Sequence, residues 1–154
     1  MNPAPVDRVK NINIVMVLYP KAEDNMVQVV VGIIPNSSKE ILVTQRPRQK
    51  SYSGYWEFPG GKIEKNESVY QALVRELKEE LDIEVLAAEP WKKLDYTYPE
   101  KIIKLDLWIV KQFRRELKGM EQQAFQWVAL EKLTAIHFLP ANKIILADLI
   151  KHLS

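Results

Sequence analysis

The chain has no cysteine among its 154 residues. That excludes disulfides, a thiol nucleophile and a cysteine zinc site. Long apolar runs are also missing. The longest, Ile14 to Tyr19, is far too short to span a bilayer. It is a poor signal peptide as well, because its apolar stretch is short and no small-residue cleavage site follows. The expectation is a cytoplasmic protein with no membrane contact. Charge of one sign is scarce. The formal net charge is +2, too little to argue for stable nucleic-acid binding. There is no internal repeat and no low-complexity segment.

What is present is an ordinary globular composition, 47% hydrophobic and 27% charged. A chain of this length forms one domain and buries roughly two thirds of its unfolded surface. Residues 1–25 read as an N-terminal extension with one expected strand, Ile12–Tyr19. Residues 26–154 read as the main domain. Val27–Ile34 is an apolar strand ended by Pro35-Asn36-Ser37-Ser38, and Glu40–Gln45 follows as its hairpin partner. Arg46 to Ser53 is a basic loop. Tyr55–Phe58, Ile83–Val85, Trp91–Tyr98, Ile102–Phe113 and Phe125–Val128 read as further strands. Ala141–Leu153 carries Ile144, Ile145, Leu149 and Leu153 at helical spacing and predicts an amphipathic C-terminal helix. Mixed strands with two main helices give an α/β class.

The chemistry concentrates between Gly61 and Ile83. Ser68 with Gln71 predicts a capping box that opens a helix. At about 100° per residue, Tyr70, Leu73, Val74, Leu77 and Leu81 gather on the core face of that helix. Glu76, Glu79 and Glu80 share another arc, with Glu80 at its buried border. Like charges at this spacing cost about 0.2–0.5 kcal/mol per pair. Arg75 reaches Glu79 at i+4, but one arginine cannot neutralise three carboxylates. An oxygen-rich arc suits a hard divalent ion, Mg2+ or Mn2+. A bare ExxEE is more often a solvated face. Here Glu57-Phe58-Pro59-Gly60-Gly61-Lys62 precedes it, so a strand enters a glycine loop where backbone can approach a ligand closely.

Glycine, five residues, Glu67, seven residues, Arg75-Glu76-Leu77, one residue, Glu79-Glu80 resembles the Nudix box. One position departs: Asp82 stands where the pattern has its second glycine. A left-handed residue is expected there, at some cost to aspartate. From Val27 to Leu149 the chain is similar to the MutT-type 8-oxo-dGTP diphosphatases. The matching pieces include Val31–Ile34, Thr44 with Arg46, Glu57–Glu64, Lys93–Pro99, Glu121 six residues before Trp127, and Phe138-Leu139-Pro140-Ala141-Asn142.

The resemblance implies an α/β/α sandwich with a mixed sheet that acts on a small-molecule nucleotide; a monomer is expected. It implies that the Gly60 carbonyl, Glu76, Glu79, Glu80 and Glu121 hold divalent metal. Glu76 is the first candidate for the general base and Glu121 the second. Arg46 matches a phosphate-binding arginine. Glu57, Phe58, Pro59 and Gly60 are expected to line the nucleotide cleft, and Glu67 with Arg75 to tie the loop to the helix. Asn142 matches a base-reading asparagine, whose amide offers donor and acceptor together. On residues alone it reads first as a cap of the C-terminal helix. Ser51 and Lys101 depart from the family's histidine and arginine. Hydrolysis of oxidised purine triphosphates is the expected activity. CTP, ADP-ribose or a dinucleoside polyphosphate is the alternative substrate, and a non-catalytic binding module the alternative class.

Overall fold

The computed structural model describes residues 26–120 and 123–154. The expected strand Ile12–Tyr19 and Glu121 lie outside the described residues. Within the described residues, seven strands form two sheets. Strands β1 (Met26–Ile33), β4 (Gly60–Lys62), β5 (Glu84–Tyr98) and β6 (Lys101–Arg114) make one sheet in the order β4-β1-β6-β5. Strands β2 (Glu40–Gln45), β3 (Trp56–Glu57) and β7 (Phe125–Ala129) make the other, in the order β3-β2-β7. The larger sheet is mixed, because β1 runs parallel to β6 and antiparallel to β4. Helix α1 (Val69–Leu81) follows β4, and α2 (Pro140–Lys143) and α3 (Leu146–Leu153) end the chain.

Alternation along the strands builds two cores. Val30, Ile34 and Leu42 pack with Ala72, Leu73, Leu77 and Leu81 of α1. Val31, Ile33, Ile41 and Val43 point the other way and pack with Ile145, Leu146 and Leu149. Strands with both faces covered take apolar residues at consecutive positions. The sheets therefore lie between helices on either side, as expected.

Three expectations change. First, β1 and β2 are not a hairpin. They lie in different sheets, joined by the bridge Pro35–Ile41 and by bonds from the Leu42 N–H to the Ile34 carbonyl at 3.1 Å and from the Asn36 N–H to the Glu40 carbonyl at 2.9 Å. Before Ile34, the backbone of β1 is already paired with β6 on one side and β4 on the other. Second, Ile83–Val85 and Trp91–Tyr98 belong to one long edge strand, with register shifts between Val85 and Ala88 and between Pro90 and Lys92. An edge strand tolerates Pro90 where a central one would not. Third, the C-terminal helix breaks at Ile144-Ile145. Ile145 is buried and Ile144 is 46% exposed. Ile144 and Ile145 form a turn between α2 and α3 that carries the first outward and the second inward.

Helix α1 starts and ends as expected. The Ser68 side chain accepts the Gln71 N–H at 3.0 Å, and the Gln71 side chain accepts the Ser68 N–H at 2.8 Å. Asp82 closes the helix at φ 57° and ψ 33°, in the left-handed region. Lys78 Nζ bonds Asp82 Oδ1 at 3.1 Å. That contact holds the Asp82 carboxyl below its usual range and offsets its charge at the negative helix end. Tyr70, expected in the core, is 37% exposed and lies against Trp108 with ring centroids 5.7 Å apart.

Candidate active site

The register of α1 delivers the acidic arc to the β4 backbone. Glu80 is only 7% exposed. Its Oε1 accepts the Gly60 N–H at 3.1 Å, and its Oε2 accepts from Gln123 Nε2 at 3.0 Å and Thr44 Oγ1 at 3.4 Å. A buried carboxylate needs such donors, because an unsatisfied charge in the interior is very costly. Glu76 lies flat against Gly61. A Cβ on Gly61 would overlap the Glu76 carboxylate, well inside the 3.0 Å that real Cβ contacts respect. Only glycine leaves room for it.

Arg75 organises the rest. Its Nε and Nη2 grip Glu67 at 2.6 and 2.9 Å, and Nη2 also donates to the Lys62 carbonyl at 2.9 Å. Its Nη1 reaches Glu76 at 3.0 Å and Glu79 at 3.2 Å. This bidentate pairing holds the Glu67 carboxyl at a pKa of about 2 and raises that of Arg75. The loop after β4 is thereby tied to α1, as the resemblance implied.

Among the described residues, no three acidic or histidine side chains stand ready as a metal site. Glu76 and Glu79 turn to Arg75, and Glu80 to Gly60 and Gln123. The donor chemistry still fits a hard divalent ion. It is all oxygen, with three carboxylates on adjacent turns beside the Gly60 backbone. Moving them together is a change of rotamer, not of backbone.

These groups border a cleft of about 490 Å³. Val27, Val29, Ile103 and Leu105 supply apolar lining. Arg46 and Glu57 supply a charged pair, Nη1 to Oε1 at 3.3 Å. Arg46 Nε donates to the Ser51 carbonyl at 2.8 Å, and Nη2 has no acceptor among the described residues. Burial pushes the Glu57 carboxyl up, against the pull of Arg46. Lys101 lines the cleft and Ser51 does not.

Phe58 and Gly60 line it, and Pro59 does not. Pro59 is buried away from the cleft, and its carbonyl accepts the Gly32 N–H at 2.8 Å, which sets the close approach of this segment to β1. Asn142 is 7% exposed, and its Oδ1 accepts the Phe58 N–H at 2.8 Å. That bond fixes the carboxamide orientation, so Nδ2 is turned away from Phe58. Its capping role falls away, since Leu139 is the N-cap of α2 and no side chain caps that helix.

Sequence reasoning assigned no site role to Gln123, Thr44, Tyr52 or Tyr98, all buried or lining the site. Gln123 sits two residues past Glu121, close enough to have been suspected. Tyr96 and Tyr98 alternate onto one strand face and pack edge-on, a spacing that does not state where the pair stands.

The family model described as the NUDIX domain matches residues 26–151. The chain belongs to the Nudix family. The 8-oxo-dGTP diphosphatase of Escherichia coli K12 is 41% identical over 122 residues, covering 79% of this chain and 95% of the relative. A CTP pyrophosphohydrolase of the same organism is 42% identical over 117 residues, covering 76% of this chain and 86% of the relative. A solved MutT structure, from work on the proteins of Aliivibrio salmonicida and Vibrio cholerae, superposes with TM-score 0.73 at 37% identity. It covers 82% of this chain and 98% of that one. The protein is thus a Nudix hydrolase, of a divalent-metal-dependent family that cleaves phosphoric anhydride bonds. Among the described residues no helix is long and apolar enough to cross a membrane.

Proposed function

We propose that this Nudix hydrolase removes oxidised purine nucleotides from the precursor pool, converting 8-oxo-dGTP to 8-oxo-dGMP and pyrophosphate. The observation that carries the reading is Asn142, a buried amide oriented by Phe58 in a cleft that also holds the acidic arc. An amide so fixed discriminates between purine edges, because an unmatched buried group costs about 1–3 kcal/mol. The 8-oxo-dGTP diphosphatase named above supports the same substrate.

In this reading the Gly60 carbonyl, Glu76, Glu79, Glu80 and Glu121 hold Mg2+ or Mn2+. When bound, the metal supplies neutralisation of the phosphate oxygens and of the leaving group. Arg46 presents Nη2 to a phosphate oxygen. Asn142 and the Phe58 segment fix the base, and the apolar lining excludes water from it. A water oxygen attacks the β-phosphorus, and the bond from that phosphorus to the oxygen bridging the α-phosphorus breaks. A Glu76 carboxylate oxygen takes the water proton, with Glu121 as the second candidate. The nucleotide is the partner, and the protein is taken as a cytoplasmic monomer.

The similarity to a CTP pyrophosphohydrolase favours one rival substrate. Pyrophosphate release is to be measured with Mg2+ or Mn2+ over 8-oxo-dGTP, dGTP, CTP, ADP-ribose and a dinucleoside polyphosphate. The highest kcat/KM is expected for 8-oxo-dGTP. A preference for CTP would install the rival, and no turnover of any nucleotide would favour a binding module.

A further inference from the structure

Two buried donors meet in the cleft beside Ala141. Tyr98 ends β5 and is 8% exposed. Its hydroxyl oxygen accepts the Ala141 N–H at 3.2 Å. Its hydroxyl proton has no acceptor among the described residues. Asn142 follows Ala141 directly, and its Nδ2 also has no acceptor among them. Both side chains line the cleft. Buried donors without partners are costly and rare in folded proteins. Two at one place point to a ligand that brings acceptors with it.

The surroundings keep the Tyr98 proton in place. Burial raises its hydroxyl above the usual range, and Tyr52 and Tyr96 act in the same direction against the Ala141 N–H and Arg46. Packing also fixes the ring. Tyr96 meets it edge-on with centroids 4.9 Å apart, and Tyr52 lies at 5.8 Å. With its oxygen held by Ala141, the hydroxyl is a directional donor.

We propose that the Tyr98 hydroxyl is a second base-reading group, donating to an exocyclic carbonyl oxygen of the bound base beside the contact made by Asn142. This rests on the nucleotide reading above and narrows it. Oxidised guanine offers such an oxygen at two ring positions, guanine at one and adenine at none. Tyr98 bonds none of the carboxylates of the acidic arc, so its effect belongs to binding.

The test compares wild type with Tyr98→Phe on 8-oxo-dGTP, dGTP and dATP by pyrophosphate release, raising enzyme concentration for the poorer substrates. Loss of one neutral hydrogen bond is expected to raise KM for 8-oxo-dGTP about three- to tenfold, with kcat little changed. The kcat/KM for dATP is expected to stay level, and so to report the folded fraction of the variant. A parallel rise for dGTP would assign the oxygen to C6, and none would assign it to C8. Either supports the proposal. An unchanged KM for 8-oxo-dGTP, or an equal loss on dATP through the Ala141 contact, would overturn it while leaving the function intact. No turnover of any of the three by wild type would overturn the function and this proposal together.

Discussion

Two adjacent glycines offer a way to separate catalysis from folding. The backbone of Gly61 is not in the left-handed region, so alanine there is strained only by its contacts. Those contacts are the Glu76 carboxylate carbon and both its oxygens, the far end of a flexible side chain. Glu76 must swing off Gly61 and give up its 3.0 Å contact with Arg75. Forcing it into a poorer rotamer costs about 0.5–1.5 kcal/mol. Alanine recovers roughly 0.5–1 kcal/mol through the lower entropy of its unfolded chain. The two nearly cancel, and a net change of 1 kcal/mol moves the Tm by only about 2–4 °C at this size. Activity has no such offset. If Glu76 is the base, its displacement lowers kcat by about 10²–10⁴-fold. Gly60→Ala is the opposite case. Its Cβ would overlap the Val30 carbonyl and sit 3.0 Å from the Val31 Cα, all backbone, at φ +155°. The β1–β4 pairing of Val31 with Gly60 must give way, at a cost of about 1–3 kcal/mol or more. Thermal melts and pyrophosphate release on both variants provide the assay. Near-normal turnover in Gly61→Ala would refute the placement of Glu76 at the reacting centre.

Asn142→Ala is expected to raise KM for 8-oxo-dGTP about tenfold more than for dGTP with kcat less affected, and an unchanged ratio would leave Asn142 only as a brace for the Phe58 N–H. Glu67→Gln tests the Arg75 network by pH. The Glu67 pKa falls from 4.5 to about 2 on folding, so its stabilisation is complete above 4.5 and vanishes as pH drops through 2. The Tm gap between wild type and Glu67→Gln should therefore be wide at pH 7 and close towards pH 2. A gap that stays constant would refute the pairing. Asp82→Gly relieves the positive φ but loses the Lys78 contact. Salt screens that contact, so glycine should raise the Tm more in 1 M salt than in dilute buffer. A smaller gain at high salt would contradict this account of the helix end.

Much of the site was legible in the sequence because local spacing determines it. A helix of known start carries its side chains at about 100° intervals, so the Ser68 box and the positions of Glu76, Glu79 and Glu80 followed from periodicity alone. The same rule placed Glu80 at the buried edge, whereas the left-handed conformation of Asp82 came from the structure. Long-range pairing was not legible. Nothing near Pro35 states that β1 will pair with β6, some seventy residues on, and not with β2. That choice depends on which apolar faces the two helices cover. Pairing of Asn142 with the Phe58 N–H spans 84 residues, and the Tyr98 contact with Ala141 spans 43. Sequence supplied the chemical types: carboxylates on an arc, an amide near the end, a basic loop. Only the tertiary structure decided which donors are buried without partners and which are spent, because burial and hydrogen-bond closure are properties of the packed chain. The resemblance carried by the motif thus implied the reaction class, whereas the cleft wall assembled from β5, the Phe58 segment and α2 exists only once the sheets have closed.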